Sequence, residues 1–190
     1  MIRSDAEPLI SKNEMAWNDA VVMFSKYFQG LEETPKTTAR NVKMLLTTRF
    51  MNHLYSCFLL VESGMIADAV TCERSAIEVL AAYKLLCVKP ELADKYNKGK
   101  FLKPYEVRNE LESLGYPEEK QKIKDIYSSA SGITHVNRDH ERFTMEWEKE
   151  NNGVLYIGGR FNEKDVSHML EFLPALIHWY LMPLEPSANK

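Results

Sequence analysis

Arg74 and Glu78 stand four residues apart inside a run, Ile66 to Val88, that is otherwise largely apolar. At roughly 3.6 residues per helical turn they project from one face and can pair. Two chemistries fit such a pair. It is either a fastener between helices, because a charge among apolar neighbours is costly unless matched. Or it is an arginine steadied by its glutamate to meet a phosphate or another anion. The fastener is the preferred reading. A second set lies upstream: Arg49, Asn52, His53 and Ser56 follow an i, i+3, i+4, i+7 spacing. They share a helical face that is poor in Lys and Glu. Such a stripe either lines a polar cleft or forms a partly exposed face with a hydrogen-bonded histidine. The third set is Ser128 to His140, where small residues meet two histidines. His135 is suited to proton transfer near neutral pH, with Asn137 or Arg138 to hold an anion. The rival reading is a loop ordered by Ser, Thr, Asn and Asp side chains bonding to the backbone.

Other chemistries lack their motifs. A di-iron bundle needs Glu-x-x-His pairs on facing helices, and the nearest approach is Asp165-x-x-His168. His-Glu-x-x-His, the glycine-rich phosphate loops and the G-x-S-x-G nucleophile elbow do not occur. No cofactor is expected. Cys57, Cys72 and Cys87 are an odd number without a C-x-x-C pair, which argues against a disulfide framework or zinc knuckle. All three lie in helical, apolar contexts, so buried reduced thiols and a cytoplasmic location are expected.

The elements that must position these residues are helical. The chain has 190 residues, enough for one domain with a sizeable core, and 1–190 is read as a single domain. Twenty-four basic against 27 acidic residues exclude a general polyanion binder. Lys95, Lys98, Lys100, Lys103 and Arg108 around Gly99, followed by Lys120, Lys122 and Lys124, read as solvated loop lysines, with a local basic patch as the rival. The N-terminus has no apolar stretch of signal-peptide length, and 172–184 is too short and too interrupted to span a bilayer. No membrane association is expected.

Periodicity and breakers place a helix from about Lys12 to Phe28, stopped at Gly30. Thr37 and Thr38 signal the start of a long helix to about Ser63, ended by Gly64. The Arg74/Glu78 helix follows after a tight turn, which makes the two antiparallel neighbours. Shorter helices are expected at about 91–97, 104–114 and 117–131, with Gly132 as a stop. Alternation at 142–147, the Asn152–Gly153 turn dipeptide and a strand-like 154–157 suggest a small β-hairpin near 142–158. A last helix spans about 163–181 with a kink near Pro174. The expected fold is an all-α antiparallel bundle with one β-hairpin or irregular excursion.

The order His53, Leu59-Leu60-Val61-Glu62-x-Gly64, Ala67, Ala69, Arg74, Glu78 and Tyr127-Ser128-x-x-Ser131-x-x-x-His135 resembles a group of uncharacterised bacterial and phage helical proteins. These carry an Arg-x-x-x-Glu helix and a downstream Ser…His segment. The resemblance covers roughly 49–137 and implies an all-helical fold with a polar cluster of His53, Arg74, Glu78 and His135. A more distant likeness is to the HEPN helical bundles, many of which are ribonucleases. Their Arg-x(4–6)-His hallmark is missing: Arg49-x-x-x-His53 is too close and Arg160-x(7)-His168 too far.

The expected function is a binding or regulatory module, self-associating, with a small anionic ligand or RNA as partner. Its binding residues are His53, Arg74, Glu78, Arg49, Asn52 and Asn137. The alternative is a HEPN-like enzyme acting on RNA or a nucleotide, with His135 as acid/base and Arg74 as phosphate anchor. Trp179 and Tyr180, near His178, are expected to form an exposed apolar patch for self-association.

Overall fold

The computed structural model describes residues 7–134, 145–147, 153–155 and 163–186. The fold is helical: α1 (Glu7–Glu33), α2 (Thr38–Glu62), α3 (Ile66–Val88), α4 (Leu92–Asn97), α5 (Pro104–Ser113), α6 (Pro117–Thr134) and α7 (Glu163–Leu181). Two short strands, β1 (Met145–Trp147) and β2 (Gly153–Leu155), pair with Met145 opposite Leu155 and Trp147 opposite Gly153. Gly153, expected in the turn, is therefore a strand residue. Among the described residues no helix is long and apolar enough to cross a membrane.

Local chemistry sets the α2–α3 connection that carries the site. Thr37 caps α2, its hydroxyl accepting from the Arg40 amide at 3.1 Å. At the other end Gly64 takes φ 77°, a left-handed conformation costly for any residue with a Cβ. That conformation lets Met65 N–H reach the Leu60 carbonyl and Gly64 N–H the Val61 carbonyl, so the last turn of α2 is satisfied. Only three residues separate α2 from α3, and the two helices pack closely together.

Two glycines expected to stop helices do not. Gly30 lies inside α1, which continues to Glu33. The reason is supplied by the next helix. Arg40 donates to the Leu31 and Glu32 carbonyls at 3.1 and 2.8 Å, and Thr34 donates to Leu31 at 2.7 Å. Carbonyls that would otherwise lack partners are thereby bonded, and the helix gains another turn. Gly132 likewise sits within α6, which runs on to Thr134. A glycine interior to a helix costs only about 1 kcal/mol, and packing of α6 on α3 and α5 exceeds that.

Helix α3 is the centre of the molecule and packs against α2, α5, α6 and α7, while α1 lies on α7 and α2. The core is organised around an aromatic stack. Tyr180 lies between Phe50 and Tyr83, at ring-centre distances of 4.3 and 4.1 Å, and Phe24 closes on it at 5.6 Å. The Tyr180 hydroxyl bonds Thr47 at 2.9 Å, and Tyr27 and Tyr83 share a hydroxyl–hydroxyl hydrogen bond. Burial pushes the Tyr27 phenol up to about 12 and raises that of Tyr180 further, so both stay neutral.

This stack overturns the expected C-terminal patch. Tyr180 is 1% exposed and holds α7 to α2 and α3. Trp179 is half-buried and donates its indole N–H to Glu119 at 2.9 Å. The cysteines also divide: Cys57 is buried and Cys72 intermediate, but Cys87, near the end of α3, is exposed. Neighbouring positions on one helix face different partners, so an apolar context in the chain does not determine burial.

Candidate functional site

The cleft is built from three pieces of chain. Helix α2 contributes Leu46, Arg49 and His53; α3 contributes Ser75, Glu78, Val79 and Ala82. The third wall is Tyr96 of α4 with Phe101, Leu102, Pro104 and Val107. Gly99, at φ 65°, makes the reversal that brings this wall round. Tyr96 and Phe101 meet edge to face at 5.2 Å, and Arg49 Nη1 donates to the Tyr96 hydroxyl at 3.0 Å, tying α4 to α2. The open cleft has a volume of ≈300 Å³, the size of a small-molecule site, with an apolar floor and a few polar groups.

Electrostatics give each polar group a role. Burial, then the Arg49 charge, lowers the His53 pKa, while Glu78 pulls the other way. At neutral pH the imidazole is therefore mainly uncharged, offering one donor and one acceptor nitrogen. Glu78 supplies an anionic acceptor. Arg49 is exposed and leaves charge facing solvent.

Arg74 connects this cleft to a second group. Its Nε lies 3.7 Å from Glu78 Oε1, the two side chains being 27% and 36% exposed. Such a pair is solvent-screened and contributes little to stability, about 0–1 kcal/mol. The Arg74 Nη2 donates to the Tyr127 hydroxyl at 2.5 Å, and its guanidinium lies 4.7 Å from the centre of the Tyr127 ring. Arg108, from α5, approaches the same ring at 4.9 Å. One phenol of α6 thus holds two arginines from two other helices.

The residues singled out in the sequence fall into three groups. Arg49, His53 and Glu78 converge in the cleft, and Arg74 adjoins it through Glu78. Asn52 is exposed and does not line the cleft, because it sits about 100° round α2 from His53. Ser56 is also exposed and donates back to the Asn52 carbonyl at 2.8 Å. His135 and Asn137 lie outside the described residues.

Sequence reasoning missed the charges that are buried most deeply in α3. Glu73 is 8% exposed and Lys84 2% exposed. Burial pushes the Glu73 carboxyl up to about 7. Its side chain has no hydrogen-bond or ion-pair partner among the described residues, and its charge is felt by the buried Cys57 thiol of α2. Lys84 donates to the Met182 carbonyl at 2.6 Å and lies 3.5 Å from Glu119. Burial lowers its pKa against the pull of Glu119. A signal for both exists: a helix apolar on most of its sides is largely surrounded, so some of its charges must be buried. Arg108 and Tyr127 carry no such signal: the three residues between α5 and α6 make those helices neighbours, but neither residue stands out from its surroundings by type. Among the described residues no three His, Cys, Asp or Glu side chains converge as a metal ion would require.

Fold and cleft together define an all-helical protein with a small polar site between its second, third and fourth helices and the α4–α5 connection. A family model described as a family of unknown function, DUF5677, matches residues 40–171, and the chain belongs to that family. The matched span carries every residue of the cleft and of the Tyr127 cluster. No curated protein and no solved structure matches the chain.

Proposed function

We propose that this chain is a cytoplasmic binding module, a single antiparallel bundle, whose cleft takes a small anionic ligand. The observation that carries this reading is the meeting of Arg49, His53 and Glu78 over an apolar floor. Around the same wall Lys95, Lys98, Lys100 and Lys103 are exposed and make no ion pair among the described residues. Cations on the rim attract an anion, while the floor and the Tyr96–Phe101 pair suit a planar apolar body. Calorimetric titration with nucleoside monophosphates tests it. Wild type should bind, and Arg49→Ala and His53→Ala should weaken binding about tenfold or more with little change in melting temperature. Unaltered affinity in both variants, or no binding by wild type, would refute the reading.

A second reading is supported by the neutral state of His53, a base beside a carboxylate. It is an enzyme acting on RNA or a nucleotide, with His135 as acid/base and Arg74 as phosphate anchor. Purified protein should then cleave such a substrate and His135→Ala should not; equal behaviour of the two removes it.

Self-association belongs to the same proposal, on a different face from Trp179 and Tyr180. Leu45, Tyr55 and Leu59 are exposed at i, i+10 and i+14 along α2, one stripe of that helix. Light scattering should give a dimer mass that falls to monomer in Tyr55→Glu. A monomeric wild type would end it.

A further inference from the structure

The Tyr127 cluster contains a donor that the fold does not use. Arg108 Nη1 is buried and has no hydrogen-bond partner among the described residues, and the side chain makes no ion pair with them. The guanidinium rests 4.9 Å from the Tyr127 ring centre. The ring offers a π face but no lone pair for a planar N–H, and a buried donor without an acceptor is destabilising. The neighbouring cation deepens the problem. Arg74 lies 4.7 Å from the same ring, so two positive charges share one phenol. Glu78, at 3.7 Å from Arg74, offsets that charge, and no equivalent carboxylate among the described residues faces Arg108. Native folds rarely leave a guanidinium so placed unless something else supplies the acceptor.

We propose that Arg108, with Arg74 and the Tyr127 hydroxyl, forms an oxyanion seat at the junction of α3, α5 and α6, taking a phosphate or diphosphate group. A planar fork matched to two oxygens of a tetrahedral anion is the geometry in which arginine exceeds lysine. Arg108 is only partly buried as a residue. Tyr127 positions both forks: its ring fixes their planes and its hydroxyl holds one Arg74 nitrogen at 2.5 Å. The seat stands without the cleft reading. The anion is satisfied equally by free diphosphate or by the end of a nucleotide.

Binding of inorganic pyrophosphate and of a nucleoside 5′-diphosphate, followed by calorimetry and phosphorus NMR line broadening, tests the seat. Wild type should bind pyrophosphate saturably. Arg108→Gln should weaken binding about tenfold or more, and Arg108→Lys, which keeps the charge but loses the fork, should also weaken it measurably. Lys36→Ala, an exposed cation on the α1–α2 connection outside both sites, should bind pyrophosphate as wild type does. Tighter binding of the nucleoside diphosphate, lost in His53→Ala, would show that seat and cleft hold one ligand; equal affinity for the two would show that the seat takes the free anion. If Arg108→Gln does not fold, as judged by circular dichroism, Arg108→Lys decides alone. Absence of saturable binding by wild type, or wild-type affinity in Arg108→Lys and in a folded Arg108→Gln, overturns the proposal and leaves the cluster a structural stack. Loss of pyrophosphate binding in His53→Ala as well as Arg108→Gln would place the anion in the cleft, and also overturns it.

Discussion

Glu73→Gln should stabilise the protein at alkaline pH and leave it nearly unchanged near pH 4. Folded Glu73 keeps its proton up to about pH 7, whereas the unfolded chain loses it near the ordinary value of 4.5. Between these values the folded state binds more protons, so wild-type stability falls as pH rises through that window and stays low above it. A shift of this size corresponds to ~3 kcal/mol, an upper figure because the surroundings relax around a buried charge. Glutamine has the shape of the protonated acid and does not titrate, so the variant lacks this decline. Urea unfolding at pH 4 and pH 8.5 measures the difference. Parallel wild-type and variant stabilities across that range would show that Glu73 is solvated or paired.

Lys84 gives the second large effect. Its ammonium links the Met182 carbonyl, just past the end of α7, to Glu119 on α6. Lys84→Ala leaves that carbonyl without its donor and a Glu119 carboxylate only 11% exposed, held among the described residues by the Trp179 indole. A loss of about 3 kcal/mol is expected, because a buried charge is left uncompensated. Lys84→Met combined with Glu119→Gln removes both charges and fills the space, so the double variant should recover much of that loss. The coupling in this cycle should reach about 1–2 kcal/mol. Strictly additive single losses would mean that the two groups do not interact. The affected link joins α3, α6 and the chain just past α7.

Features set by near neighbours in the chain are legible from the residues themselves. Thr37 as a cap and Gly64 as a left-handed stop depend on a few adjacent residues, and both stand where the spacing places them. The convergence of His53 with Glu78 is legible for a related reason: a three-residue turn obliges α2 and α3 to pack side by side. What stays hidden depends on which side chains of different elements meet. Gly30 does not end α1 because Arg40 reaches back to its carbonyls. Tyr180 is buried because Phe50 and Tyr83 close on it from two other helices. Arg74 and Glu78 stand out as charges among apolar residues, yet they sit at a partly open edge. Glu73, immediately before Arg74, points inward instead. The three residues between α5 and α6 make those helices neighbours too, but nothing in residue type marks Arg108 and Tyr127 as the positions that meet.

The aromatic stack also has a bearing on how the chain is made. Its central ring comes from α7, and the partners that grip it come from α1, α2 and α3. During synthesis the first three helices leave the ribosome without the ring that fills the space between them. Their inner faces must wait, exposed, until residue 180 has emerged. Contacts of such long sequence separation make folding slow and late, and leave apolar surface open to aggregation meanwhile. Slower translation or added chaperone should therefore raise the yield of folded protein.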